Sequence, residues 1–323
     1  MLIKPRRIAL LTSGGDAPGM NAAVRAIVRD AAYLGVETVG VRHGFQGLIR
    51  GEFTTMERRD AADIIHRGGT ILYTARSEAF LTAEGQESAV RNLRAEAVDG
   101  LVVIGGDGSF RGAAALERLG VATVGVPATI DNDLIGTERA IGFDTAVNTA
   151  LEAIDRVRDT ATAHERVFVV EVMGHRSGFL ALECALAGGA ECVLVPEIPY
   201  DLEEIAARVR EAYTIGKRHS ILVVAEGAAR GFDVGEEVQR RTGLETRVTV
   251  LGHTQRGGPP SAMDRVLGSQ LGSAAVEALV SGHHGVMVGS VGRTTAETPY
   301  ERVLERARPI DPAAYALIGK LAI

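Results

Sequence analysis

Cysteine is nearly absent from this sequence, with Cys184 and Cys192 the only two among 323 residues. Two such residues provide neither a disulfide framework nor the closely spaced thiols of a zinc site, so both are expected as core fillers in a protein of the reducing cytoplasm. No run of about 18 apolar residues occurs, and Met1–Leu11 is basic without the long apolar stretch of a signal peptide; membrane spanning and secretion are not expected. An excess of basic charge is missing too. With a net charge of −6 the chain has no dense cationic supply for tracking nucleic-acid phosphates, so any basic residues that matter must act locally. Neither a Walker A pattern nor a Gly-x-Gly-x-x-Gly fingerprint after a strand is present, which argues against a P-loop NTPase and a dinucleotide dehydrogenase. No Gly-X-Y period and no low-complexity tract accompanies the 39 glycines, so they are read as tight turns and close ligand approaches.

What is present points to an α/β fold. The chain is 46% hydrophobic, enough for a substantial core in one or two lobes. Short β-branched or apolar runs recur at Ile8–Thr12, Thr38–Val41, Leu101–Ile104, Ala122–Val126, Val167–Val172, Cys192–Val195, Ile221–Ala225 and Arg247–Leu251. Between them, Asn21–Leu34, Gln86–Ala97, Ala146–Arg158 and Leu202–Lys217 space their apolar residues as helices do. This alternation predicts mainly parallel sheets with flanking helices, arranged as two similar Rossmann-like lobes. No Pro/Ser-type linker divides the chain, so the backbone is expected to cross between lobes more than once, with Ile141–Asp144 as one crossing.

Ligands of open α/β sheets bind beyond the carboxyl ends of strands, and the loops there are rich in chemistry. Gly14-Gly15 and Gly105-Gly106 can each turn backbone N–H groups toward a phosphate at a helix start, although either loop alone is equally an ordinary βα turn. Asp107, between glycines, can reach a hard cation that bridges phosphate oxygens, and Ser109 would cap the following helix. Asp131 and Asp133 lie two apart in a post-strand loop, a spacing that suits a general base for transfer to an alcohol and also a plain turn around Asn132. Arg76, Arg166, Arg247, His253 and Arg256 stand near strand ends, where guanidinium forks bind sugar phosphates and where solvated surface charge is also common.

Taken in order, LTSGGDAPGMNAAVR from Leu11, GGTILYTAR from Gly68, VVIGGDGS from Val102, PATIDND from Pro127 and VLGHTQRGG from Val250 resemble the bacterial ATP-dependent 6-phosphofructokinase family over nearly the whole chain. The resemblance implies transfer of the ATP γ-phosphoryl group to the 1-hydroxyl of fructose 6-phosphate, with Mg2+ as the metal. It implies an ATP-binding lobe at residues 1–142 plus 256–306 and a fructose-6-phosphate-binding lobe at 143–255 plus 307–323. By matched motif, Gly15, Arg76, Ser77, Gly106, Asp107, Gly108 and Ser109 would line the ATP site, with Asp107 at the magnesium. Asp131 would accept the proton, supported by Asp133 and Thr129. Fructose 6-phosphate would meet Thr129, Ile130, Asp131, Met173, Gly174, His175, Glu226, His253, Thr254, Gln255 and Arg256, with Arg166 and Arg247 reaching in from a neighbouring subunit of a homotetramer. The resemblance also implies an effector site for ADP as activator and phosphoenolpyruvate as inhibitor, at Arg25, Arg29, Arg58, Asp63, Arg158, Gly189, Ala190, Glu191, Lys217, Arg218 and His219.

Three positions depart from the family pattern. His175 stands where the family usually has arginine, with Arg176 displaced by one place, and a shorter, partly charged side chain there implies weaker neutralisation of the transferring group. Ala128 replaces the glycine usual in ATP users without supplying the lysine usual in pyrophosphate users. Ile215 replaces a basic residue two before Lys217, which implies altered effector strength. Gly108, where pyrophosphate users tend to carry aspartate, leaves room for the inner phosphate of a nucleotide. The alternatives kept open are a pyrophosphate-dependent enzyme on the same sugar and a nucleotide-sensing paralogue without turnover.

Overall fold

The computed structural model describes residues 4–164, 166–305 and 307–322. Its strands are Arg7–Thr12 (β1), Glu37–Val41 (β2), Phe53–Met56 (β3), Gly100–Gly105 (β4), Thr123–Pro127 (β5), Val167–Val172 (β6), Cys192–Leu194 (β7), Ser220–Ala225 (β8), Thr246–Val250 (β9), Val286–Val291 (β10) and Thr294–Pro299 (β11). The principal helices are Met20–Tyr33 (α1), Gly44–Arg50 (α2), Ala83–Ala95 (α3), Asp107–Arg118 (α4), Phe143–His164 (α5), Phe179–Ala187 (α6), Leu202–Thr214 (α7), Gly231–Thr242 (α8), Ala262–Val280 (α9), Tyr300–Glu305 (α10) and Pro312–Leu321 (α11).

Each apolar run named above forms a strand, with ends that differ by at most one residue. The sequence reading did not anticipate β3, β10 or β11. β3 and β11 are edge strands with polar content, Phe-Thr-Thr-Met and Thr-Thr-Ala-Glu-Thr-Pro, and antiparallel pairing to β2 and β10 makes them strands. That pairing is a tertiary event with no local periodicity to announce it.

The chain divides into two units. The larger comprises Met1–Thr129, Leu134–Thr145 and Arg256–Ala307, and the smaller comprises Ile130–Asp133, Ala146–Gln255 and Arg308–Ile323. The backbone therefore leaves the larger unit at Ile130, returns at Leu134, and leaves again one residue beyond Ile141–Asp144, at Thr145.

In the larger unit the sheet order is β11-β10-β5-β4-β1-β2-β3, parallel from β10 through β2 with an antiparallel strand at each edge. Connections run from β1 to β2 on one side and return to β4 on the other, so the order reverses between β1 and β4. A doubly wound sheet opens its crevice at such a reversal, beyond the strand carboxyl ends. Leu11, Val41, Leu101, Val103, Phe110 and Leu116 form part of the buried core on one face of this sheet. On another side α9 lies close along α1, because Gly268 and Gly272 leave room that a side chain would fill; a Cβ on Gly272 would be 2.7 Å from the Ala23 carbonyl oxygen.

The smaller unit has a four-stranded, wholly parallel sheet in the order β7-β8-β6-β9. Val167, Val169, Leu194, Leu222, Val224 and Val238 are among the residues of its core, as expected of strands covered on both faces. Cys184 and Cys192 are both buried here as free thiols; burial pushes Cys192 up to about 11 and also raises Cys184. Among the described residues no helix is long and apolar enough to cross a membrane.

Candidate active site

The loops after β1, β4 and β5 meet within the larger unit because those strands are neighbours. The Ser13 amide donates to the Ile104 carbonyl at 2.9 Å, and the Ala128 amide donates to the Gly105 carbonyl at 2.9 Å. The glycine turn at 105–106 is thus tied to the loops on both sides. Gly106 precedes α4 in extended conformation with no side-chain cap, and the amides of Ser109 and Phe110 turn back to its carbonyl. The first amides of α4 and the positive end of its dipole lie at this turn, an arrangement that favours an anion.

Asp107 opens α4 with its side chain 43% exposed, and one carboxylate oxygen accepts from Arg111 Nε at 3.1 Å. Ser109 is buried, and its hydroxyl has no hydrogen-bond partner among the described residues. A buried orphan hydroxyl next to an accessible carboxylate at a helix N-terminus fits a phosphate-bridging Mg2+, which takes few protein oxygens and fills its shell from phosphate and water. Among the described residues no cluster of three or more His, Cys, Asp or Glu side chains could hold an ion alone.

Gly15 is exposed, and Arg256 lies against it, donating from Nη1 to the Asp16 carbonyl at 3.2 Å. Arg76 is exposed, whereas the Ser77 hydroxyl is held by Gln46 Oε1 at 2.8 Å. Asn21, not foreseen as important, is buried and clamps the motif from Gly68: its amide nitrogen donates to the Arg67 carbonyl at 3.0 Å while its oxygen accepts from the Ile71 amide at 2.8 Å. A single Asn inside a long motif gives no signal that it serves a segment 50 residues away.

Thr129 is buried beside Gly106, where a Cβ would lie 3.5 Å from Thr129 Cβ. Two residues on, Asp131 belongs to the smaller unit, and Ser177 Oγ donates to its carbonyl at 2.9 Å. Ile130 is fully buried, Asn132 sits at φ 51, and Arg308 Nη1 donates to the Asn132 carbonyl at 3.1 Å. Asp131 and Asp133 are both half-buried.

In the smaller unit the loops after β6, β8 and β9 carry most of the other foreseen residues, while Arg166 stands just before β6 and Arg247 lies within β9. Met173 is buried, Gly174 has φ 135, and His175 is an exposed residue at φ 54. This left-handed pair turns the chain sharply, and the His175 amide donates to Glu226 Oε1 at 2.9 Å. Glu226 therefore braces the loop that carries His175. Arg166 Nε donates to Glu245 Oε2 at 2.7 Å, and Arg247 pairs with the other oxygen of the same carboxylate. Glu245, unremarkable in the sequence, gathers both arginines. His253 is exposed, while Thr254 and Gln255 donate to the carbonyls of Leu251 and Gly252 at 2.7 and 3.0 Å.

The residues matched to an effector site fall in both units. Arg25 and Arg29 are half-buried on α1, and Arg58 and Asp63 are exposed in the larger unit. In the smaller unit Lys217 Nζ lies 2.5 Å from Glu191, which is buried, and donates to the Ala322 carbonyl at 2.9 Å. Arg158 donates to the Gly188 carbonyl beside Gly189 and buried Ala190, and His219 lies 3.4 Å from the Thr162 hydroxyl.

Comparison with known proteins identifies the family. A family model described as Phosphofructokinase matches residues 7–279. The ATP-dependent 6-phosphofructokinase of Halalkalibacterium halodurans is 54% identical over 318 residues, covering 98% of this chain and all of the relative. ATP-dependent 6-phosphofructokinase 1 of Thermus thermophilus is 56% identical over 321 residues, with the same coverage. Among solved structures, phosphofructokinase from Saccharomyces cerevisiae superposes with a TM-score of 0.87 at 35% identity, covering 93% of this chain and 45% of the yeast chain. A pyrophosphate-dependent phosphofructokinase from Marinobacter aquaeolei, at 24% identity and a TM-score of 0.84, shares the fold over 95% of this chain and 86% of its own.

Proposed function

The chain belongs to the phosphofructokinase family, and from that premise we propose that it transfers the γ-phosphoryl group of ATP to the 1-hydroxyl of fructose 6-phosphate, giving ADP and fructose 1,6-bisphosphate. The observation that carries the reading is the seating of Thr129 against Gly106: the loop bearing Asp131 leaves its strand beside the phosphate-binding turn. Asp131 follows that contact by two residues in the chain, and a carboxylate there suits a general base for transfer to an alcohol.

The backbone amides around Gly106 and the start of α4 hold the nucleotide phosphates, and Ser109 supplies a hydroxyl. Asp107 would hold Mg2+, which when bound neutralises charge on the phosphates. Asp131 takes the proton from the sugar 1-hydroxyl as the bond to phosphorus forms, and the leaving oxygen departs with ADP. Thr129 and Asp133 fix the loop. Arg256, His253, Glu226 and the 173–175 turn bind the sugar phosphate, and Arg166 and Arg247, gathered by Glu245, serve a neighbouring subunit. The open space at Gly108, where a Cβ would meet nothing within 4 Å, supports ATP as donor. A homotetramer regulated by ADP and phosphoenolpyruvate extends the proposal, supported by the pairing of Lys217 with Glu191 and the seating of Arg158 against Gly188 and Gly189. A reducing cytoplasm suits the two free thiols.

Initial rates of wild type and Asp131→Asn with ATP and with pyrophosphate test the reading. Wild type is expected to use ATP, and the variant to lose roughly 10²–10⁴-fold in kcat, the usual cost of removing a general base. Undiminished turnover in the variant overturns the role of Asp131, and a preference for pyrophosphate overturns the donor.

A further inference from the structure

Helix α5 starts at Phe143. The residue before it, Gly142, sits at φ 101 and has no side chain, and a Cβ there would lie 2.6 Å from Ala17 Cβ. The capping group comes instead from α9. Asp264, 1% exposed, accepts from the Gly142 amide at 2.9 Å with one oxygen; the other accepts from the Thr145 amide at 2.8 Å and the Thr145 hydroxyl at 2.5 Å. The arrangement is reciprocal. Ser261 caps α9 by accepting from the Asp264 amide at 3.2 Å, donates its own amide to Thr145 Oγ1 at 2.9 Å, and lies 2.6 Å from Asp144 Oδ2. A side chain that satisfies the first amides of a helix normally belongs to the residue just before it, so a buried carboxylate brought from about 120 residues away along the chain is a specific tertiary feature.

The anchored segment leads directly to the transfer loop. The Ile141 amide donates to the Pro127 carbonyl at 3.0 Å, and Ile141 forms an isolated parallel bridge with Ala128, the residue before Thr129. Gly19, at the end of the first glycine loop, packs on the same point: a Cβ there would meet Ile141 Cγ2 at 2.6 Å and Asp264 Cβ at 3.3 Å.

We infer that Asp264 is a positioning residue for phosphoryl transfer, capping α5 from outside and thereby holding Ile141 and the register of Pro127–Thr129 that sets where Asp131 begins. The inference rests on the phosphoryl-transfer reading above. Asp264 touches no reacting atom; it acts through Gly142, Ile141 and the bridge to Ala128. Burial raises its carboxyl above the ordinary range, while the Thr145 hydroxyl and the Gly142 and Thr145 amides pull the other way. The Gly142 and Thr145 amides and the Thr145 hydroxyl all donate to the two oxygens, so the site uses an acceptor at both.

Asp264→Asn keeps the shape and replaces one acceptor with an NH2 group facing N–H donors. A misplacement of about 1 Å remote from the chemistry can cost about 10²-fold, so kcat of the full-length variant is expected to fall roughly 10–100-fold while KM for MgATP changes little. Thr145→Val, which removes one donor to Asp264 and the acceptor of the Ser261 amide while leaving the Gly142 and Thr145 amides paired with Asp264, is expected to lower kcat less, in the same direction. Rates are taken per folded molecule, with the folded fraction from circular dichroism. Asp131→Asn is assayed alongside, since its undiminished kcat would sink the base assignment alone. Wild-type kcat in folded Asp264→Asn overturns the positioning role. If that variant does not fold, Thr145→Val decides: reduced kcat at unchanged KM supports the inference, and wild-type kcat overturns it.

Discussion

In the larger unit the loops beyond the strand ends are packed closely around a glycine backbone: a Cβ on Gly105 would lie 2.6 Å from the Ser13 carbonyl oxygen and 2.3 Å from Ser109 Oγ. In the smaller unit, cationic side chains near the amino ends of strands are already engaged with an acid, Arg166 and Arg247 with Glu245, and the loop after β6 is held by Glu226 accepting from the His175 backbone amide. On the phosphoryl-transfer reading proposed above, the two units would recognise phosphate with different materials. A backbone cradle excludes side chains and tolerates almost no added volume. A cradle of long cationic side chains tolerates volume and depends on what holds those cations between encounters. Substitutions in the two units should therefore fail in different ways.

The largest effect is expected at Gly105. Gly105→Ala places a methyl group against fixed backbone and should destabilise the protein by about 2–3 kcal/mol in urea unfolding and abolish measurable turnover. A variant with wild-type stability would break the claim that the turn has no spare room at Gly105. A smaller effect is expected in the other unit. Glu245→Gln leaves Arg166 and Arg247 less neutralised, and KM for fructose 6-phosphate should fall roughly two- to fivefold, matching the about 0.5–1 kcal/mol of an exposed ion pair. A raised KM would mean that Glu245 aims the arginines instead of restraining them. The smallest effect is expected at Gly108, the one position of the glycine turn with open space around it. Gly108→Ala should raise stability by about 0.5 kcal/mol through helix propensity, while KM for MgATP rises and kcat holds. Unchanged nucleotide binding would remove Gly108 from the discrimination between donors.

Much of this was legible beforehand because both halves of the fold write periodic signals. β4 and β8 are entirely buried strands of β-branched and apolar residues, and such runs identify themselves. The glycine turns and the Asp131 loop were legible as clusters of turn and acidic residues at strand ends. Glu245, Asn21 and Asp264 were not, because a lone polar residue within an ordinary strand end or helix carries no mark of a partner elsewhere in the chain. The edge strands β3 and β11 were missed for the same reason, their identity lying in the neighbours they pair with.

The sequence by itself determined the alternation of strands and helices, the strand-end loops and the chemical groups they hold, since these follow from local periodicity and from residue types that only certain turns admit. The tertiary structure alone decided which loops share a crevice, through the reversal of strand order between β1 and β4, and which acids restrain which cations. It also decided that α5 is capped by a carboxylate from α9. Those outcomes depend on chain segments separated by tens to more than a hundred residues coming within hydrogen-bonding distance, and packing rather than local propensity sets that distance.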